Sequence, residues 1–352
     1  LHPPKEYKDA INYVNNEMDP HIVHGYMPNA GFESTRTAVA ENLNKRFGAN
    51  FTFENIIMTV GAGSSINVIM KTIFDPGDKQ IVFAPYFVEY ANWAGNYHAE
   101  TVVVPPNEAN GFEPDPEALK KALDPKVKAV IINNPNNPTG AIYSRETLEQ
   151  IAAVLKDAEK EYGHPIYIIT DEPYRELVYV DKEIVFIPDL YDNTIIAYSW
   201  SKSLSIPGDR LGYLAVSPKS DNVEEFMAAA TVANRISGDT NAPSMVQLAV
   251  ERCMDAQVDV PYYKKNAEDL YKIVTDAGFT AIVPQGAFYL WVKSPVADEK
   301  ELVAAAKEER ILMVPGSAFA CPGYIRLSFC IANETIRRSA ESFAKLGKKF
   351  FG

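Results

Sequence analysis

The chain has 352 residues, 47% of them hydrophobic, which is enough for a large core and, at roughly 150 residues per domain, for two domains. Its 34 basic and 46 acidic residues leave a net charge of −12, which excludes sequence-independent binding to nucleic acid or to an anionic membrane as a ready function, since both surfaces are negative. No apolar run approaches the ~20 residues of a membrane-spanning helix.

Cys253, Cys321 and Cys330 are odd in number and none lies in a C-x-x-C pair, so a disulfide framework is not expected and a reducing cytoplasm fits. The sequence starts at Leu1-His2-Pro3-Pro4, without Met and without a signal-peptide pattern, and a preceding N-terminal stretch is expected.

Along the chain, short apolar runs alternate with longer amphipathic stretches, the pattern of an α/β fold. Strands are expected at 56–60, 80–84, 101–104, 128–133, 166–171, 194–199 and 211–216, with helices at 65–74, 86–93, 116–123 and 144–162. Ser144 is the expected N-cap of the last of these helices. After Tyr262 the pattern changes. A charged helix at 262–277 precedes strands near 280–283 and 287–292, a helix at 298–309, short strands at 312–314 and 324–329, and a final helix from Asn333. The expected architecture is a large domain over 26–262, with a mostly parallel seven-stranded sheet covered by helices, and a smaller α+β domain from 1–25 and 263–352.

Unusual residues cluster where strands end. Gly61-Ala62-Gly63-Ser64-Ser65 follows the first strand and Phe87 the second, while Asn133-Asn134-Pro135-Asn136-Asn137-Pro138-Thr139-Gly140 follows the fourth. Asp171-Glu172-Pro173-Tyr174 ends the fifth, and Ser199-Trp200-Ser201-Lys202 the sixth, with Arg210 eight residues after Lys202. In a mostly parallel sheet these positions share one edge, where open α/β folds bind ligands.

Each position has chemistry available. Lys202 offers an amine for an imine, and hydroxyls and Arg210 offer donors for a phosphate. The Gly61-Ala62-Gly63 turn can present bare N–H groups at a helix N-terminus, or be only a tight turn. Asp171 can pair with a protonated ring nitrogen, or serve as a helix cap or structural ion pair. Tyr174 can donate its phenol or simply pack. The Asn- and Pro-rich loop at 133–140 can be only a turn, or its prolines can fix the Asn137 amide in one geometry. Arg326, inside the apolar run Tyr324-Ile325-Arg326-Leu327-Ser328, needs an anion, either a substrate carboxylate or an internal acid. His21 and His24 have no third ligand near them in sequence, so no metal site is expected.

In order and spacing, these motifs resemble the class I/II aminotransferase family of fold-type I pyridoxal-phosphate enzymes, from His24-Gly25-Tyr26-Met27-Pro28-Asn29-Ala30-Gly31 to Arg326. The resemblance implies pyridoxal 5'-phosphate as cofactor. It implies transfer of the amino group of an L-amino acid to a 2-oxo acid, with 2-oxoglutarate the expected acceptor and an aspartate-like or broad donor range. Lys202 would be the imine-forming lysine and Asp171 the partner of the pyridine nitrogen. Tyr174 and Asn137 would contact the ring's 3-oxygen, and Phe87 would stack on the ring. Ala62, Gly63, Ser199, Ser201 and Arg210 would hold the phosphate. Tyr26 would reach the phosphate of a neighbouring subunit, which implies a homodimer with shared active sites. Arg326, with Asn137, would bind the substrate carboxylate.

Two departures stand out. The further N-terminal residues typical of the family, including a segment that closes over the substrate, would lie before Leu1, where a preceding stretch is expected. Gly63 stands where related aspartate enzymes often carry a lysine that reads a distal carboxylate, leaving Arg235 or another residue of a partner subunit to do so. A C–S β-lyase on the same fold is the alternative reading. A non-catalytic effector module of a regulator is a third, although this acidic chain offers no basic DNA-binding domain.

Overall fold

The structure is a computed structural model and describes residues 2–352. Seven strands form the large sheet: β1 (Ile56–Thr59), β2 (Lys79–Phe83), β3 (Glu100–Val104), β4 (Val127–Asn133), β5 (Tyr167–Asp171), β6 (Thr194–Ser199) and β7 (Gly212–Val216). Their order across the sheet is β1-β7-β6-β5-β4-β2-β3. The pairings of β3, β2, β4, β5 and β6 are parallel, and β7 runs antiparallel to both β6 and β1. Every residue of β5, β6 and β7 is buried. These strands therefore read in sequence as continuous apolar runs rather than alternating ones, as expected for strands covered on both faces.

The covering helices carry apolar stripes. Helix Arg145–Tyr162 is capped by Ser144, whose side chain accepts from the Thr147 N–H, and ends at Gly163 in a left-handed conformation. Its face of Leu148, Ile151, Ala152 and Leu155 packs with Ile132 and Ile168 of the sheet.

A second sheet, ordered β8-β10-β9, is formed by β8 (Tyr289–Lys293), β9 (Val314–Pro315) and β10 (Tyr324–Ser328). Val260–Asp276, Glu299–Glu308 and the C-terminal helices cover it. Its apolar cluster reaches back to Tyr174, Leu177 and Tyr179, just beyond β5.

Several expectations shift. The strand expected at 280–283 is reduced to a single bridge between Ala281 and Val292. The helix expected from residue 86 begins at Glu89, because Tyr86 is held outside it by a hydrogen bond from its N–H to the Phe319 carbonyl. The last helix is broken at Ser339. Residues 1–25 were expected in the smaller unit; of these, the helix Lys5–Glu17 and Val23 pack with residues of the large sheet. Tyr7, Ala10, Val14 and Val23 share an apolar cluster with Ile56, Met58, Tyr198 and Leu248. The physical reason is the single apolar face of Lys5–Glu17, which lies against Ser244–Glu251, and a hydrogen bond from Tyr7 to Asp209 seals it.

Candidate active site

β2, β4, β5 and β6 run parallel, and β1 shares their direction through the reversed β7, so the C-terminal ends of these strands lie at one edge. The reversed β7 begins at that edge, since Gly212 pairs with both Ser199 and Thr59, and it brings Arg210 there.

The turn after β1 is shaped for an anion. Gly61 has φ +94°, and a Cβ on it would lie 2.9 Å from Nη2 of Arg210. It caps the helix Ala62–Ile73, whose first N–H groups are free of side chains. Arg210 is fixed by donating to the carbonyls of Pro207 and Val60 at 3.0 and 3.1 Å. Ser199 and Ser201 face each other with hydroxyl oxygens 2.7 Å apart, and the Ser201 N–H donates to Ser199 Oγ at 3.1 Å. Trp93 closes the space beside Gly63, so a Cβ there would meet its ring at 3.1 Å.

Asp171 is the most perturbed carboxyl. Tyr90 donates to its Oδ2 at 2.5 Å, while Oδ1 is buried without a partner. Asn133 donates to the Asp171 carbonyl at 2.9 Å. Burial, aided by the Glu172 charge, raises the carboxyl to about 7 against the lowering effects of the Tyr90 hydrogen bond and the Lys202 charge.

Lys202 has its Nζ 5.2 Å from the Phe288 ring centre. Burial lowers its amine below the ordinary lysine value. Arg210 adds to the lowering, against opposing effects from Cys330 and Asp171. A lysine so placed holds more of the neutral, nucleophilic form than a surface lysine does.

On the far side of the edge, the buried Tyr174 hydroxyl lies 3.1 Å from that of Tyr289. Arg326 Nη1 donates to Asn137 Oδ1 at 2.8 Å, and its Nε is buried without a partner. The Asn137 N–H in turn donates to Asn133 Oδ1 at 2.7 Å, which ties the Asn-Pro loop to the Asp171 surroundings. Phe87 packs edge-on against Tyr90 and Trp93.

Lys202, Asp171, Tyr174, Asn137, Phe87, Ala62, Gly63, Ser199, Ser201 and Arg210 thus arise from one edge of the large sheet, and Arg326 joins them from the second sheet. Tyr26 does not join them within one chain, being 97% exposed. Tyr90, Phe288 and Tyr289 were not anticipated. The only sequence signal for Tyr90 was its place one helical turn beyond Phe87. No group of three or more His, Cys, Asp or Glu among the described residues is arranged to hold a metal ion, and no described helix is long and apolar enough to cross a membrane.

The arrangement suits a phosphorylated carbonyl compound with a basic ring nitrogen. The glycine turn, two serines and Arg210 form an anion cradle, the orphaned Asp171 oxygen needs an N–H donor, and Lys202 offers an amine. The open side of Arg326 suits a carboxylate.

Residues 2–343 match the family model described as aminotransferase class I and II. The aspartate/prephenate aminotransferase of Thermus thermophilus is 33% identical over 91% of this chain and 83% of its own length. The aromatic-amino-acid aminotransferase 2 of Thermococcus litoralis is 30% identical over 96% of this chain and 87% of its own. An aminotransferase crystal structure from Eubacterium rectale superposes with a TM-score of 0.97 at 38% identity, covering 100% of this chain and 88% of that one. The Thermus thermophilus aspartate aminotransferase solved with maleate gives 0.88 at 28% identity, covering 98% and 89%.

Proposed function

The chain belongs to the aminotransferase class I and II family, and on that premise we propose that it transfers the amino group of an L-amino acid to 2-oxoglutarate, with pyridoxal 5'-phosphate held at the sheet edge. The observation that carries the reading is the pairing of a lysine of lowered basicity with a buried carboxyl whose free oxygen lacks a donor.

When bound, the cofactor supplies a carbonyl for imine exchange and a ring that accepts the electron pair left when the substrate Cα–H bond breaks. Asp171, with Tyr90 on its other oxygen, would hold the proton of the ring nitrogen. The Gly61–Gly63 turn, Ser199, Ser201 and Arg210 would hold the phosphate, Phe87 would pack against the ring, and Tyr174 and Asn137 would contact the ring oxygen. Arg326 and Asn137 bind the substrate carboxylate and so fix the direction of the Cα–H bond, a positioning effect that reaches ~10 kcal/mol in model systems. The Lys202 amine would serve as the general base that takes the Cα proton and as the acid that gives it back.

Donor preference is aspartate-like or broad. The names of the relatives, aspartate/prephenate and aromatic, support that range. Gly63, backed by Trp93, offers no side chain to a second carboxylate. Arg235, exposed and bonded to Asn29 at 3.2 Å, is the reserve reader of one, acting across a homodimer. That homodimer is supported by the exposure of Tyr26, Ile22, Val232 and Ile236. A cytoplasmic setting fits three cysteines that are all free. The C–S β-lyase alternative is not favoured, since the relatives from Thermus thermophilus, Pyrococcus horikoshii and Bacillus subtilis and the Eubacterium rectale structure are all named as aminotransferases.

The test is a panel of initial rates with each standard L-amino acid and 2-oxoglutarate. Glutamate formation from at least one donor is expected. Glutamate from none, or acceptor-independent pyruvate from cystathionine, would overturn the reading.

A further inference from the structure

Tyr289 stands where two site contacts cross. Its hydroxyl lies 3.1 Å from the Tyr174 hydroxyl, and its ring centre lies 4.2 Å from the Arg326 guanidinium carbon. The register of β8 against β10 places Ser328 opposite Tyr289, so Arg326 is its diagonal neighbour on the same face of the sheet. Phe319 brings a second ring to 4.7 Å from the guanidinium. Apart from the bond to Asn137, these rings are what hold the arginine's plane, since its Nε has no partner.

The turn leading into Tyr289 is clamped to the large unit. The N–H groups of Gln285 and Gly286 both donate to the Gly140 carbonyl, at 3.1 and 2.9 Å, and the Ala287 N–H donates to Leu177 O at 3.0 Å. A Cβ on Gly286 would lie 2.7 Å from Leu177 O and 2.9 Å from Pro135. Ala287 is fully buried at φ +57°, a conformation that a residue with a side chain keeps only where its surroundings impose it. The next two residues are Phe288, beside Lys202, and Tyr289. The strained turn therefore aims both side chains at the site.

We propose that Tyr289 is a positioning residue that couples the carboxylate-binding arginine to the Tyr174 phenol, its ring orienting Arg326 and its hydroxyl holding Tyr174. The proposal rests on the reading of Arg326 as the carboxylate anchor. It predicts separable effects. Tyr289→Phe keeps the ring and loses only the hydroxyl, so carboxylate affinity stays within about twofold while kcat falls. Tyr289→Leu loses both, so affinity falls about 5- to 30-fold, the span of a cation–π contact from exposed to desolvated, and kcat falls as well.

The experiment is calorimetric titration of the pyridoxal-phosphate-loaded enzyme with 2-oxoglutarate, which has no amine and does not react with that form, together with steady-state kcat and thermal unfolding. Retention of affinity in Tyr289→Phe but not in Tyr289→Leu supports the proposal. Unaltered affinity in Tyr289→Leu, or an equal loss in both variants, overturns it. Should Tyr289→Leu fail to fold, an unchanged kcat in Tyr289→Phe overturns it alone. Arg326→Gln separates the two levels. If Arg326→Gln binds 2-oxoglutarate normally, the anchor assignment fails. If Arg326→Gln loses binding while Tyr289→Leu does not, only the role of Tyr289 fails.

Discussion

Tyr90 and Asp171, 81 residues apart, share a buried 2.5 Å hydrogen bond that satisfies one carboxylate oxygen and leaves the other without a donor. A half-satisfied buried carboxylate is costly, and the fold responds by favouring its protonated form. A ring N–H meeting the free oxygen would remove that cost, which makes the pair a built-in preference for a cationic ring.

The cofactor-free protein carries a pH signature of this. The folded Asp171 titrates at about 7 against an ordinary 3.8. Its contribution to stability is therefore fully present below the lower value and is lost as pH rises through the upper one. The loss is on the order of 4 kcal/mol. Thermal unfolding of the cofactor-free protein between about pH 4 and about pH 8 should show this decline, and Asp171→Asn should flatten it. Parallel curves for the two proteins would refute the shift.

Tyr90→Phe removes the donor that holds the Asp171 carboxyl down. The carboxyl should rise further, and cofactor affinity should weaken by about 1–3 kcal/mol, the cost of losing one partner of a buried carboxylate. Equilibrium dialysis against pyridoxal phosphate measures this; unchanged affinity would mean that Tyr90 only packs.

Lys202→Ala should fold normally yet leave no cofactor fixed to the chain after borohydride reduction, whereas the unaltered protein should carry it on the peptide containing Lys202. Activity should fall by about 10²–10⁴-fold from lost proton transfer alone. Mass spectrometry of the reduced digest decides, and a cofactor fixed to any lysine in the variant contradicts the assignment.

Glu172 and Arg175 form a buried pair with N–O distances of 2.5 Å beneath the site. Glu172→Gln strands the guanidinium in the interior, and a loss of about 3–5 kcal/mol in denaturant unfolding is expected. A loss under about 1 kcal/mol would show that Arg175 finds another partner.

Gly61→Ala asks for φ +94° from a residue with a side chain and puts a Cβ 2.9 Å from Arg210. Cofactor affinity should drop at least about tenfold through displacement of Arg210, with a stability loss of about 1–3 kcal/mol. Wild-type affinity in this variant would show that the cradle tolerates displacement of Arg210.

The sequence by itself determined the sheet and which strand ends carry chemistry. Strands buried on both faces appear as unbroken apolar runs, and the Asn137, Asp171 and Lys202 positions follow the ends of parallel strands with polar or turn residues, whereas Gly61 reaches the same edge only because the reversed β7 lies between β1 and β6. Tertiary structure decided what the amphipathic pattern left open. Residues 1–25 read as part of the smaller unit, but the apolar face of Lys5–Glu17 packs with the large one, against Ser244–Glu251. Tyr289 was invisible among 19 tyrosines and Tyr90 was marked only by its place one turn beyond Phe87, because a phenol in a buried stretch reads the same whether it packs or bonds. Only contacts spanning 81 residues to Asp171 and 115 to Tyr174 distinguish them, and a local pattern holds no record of contacts that long.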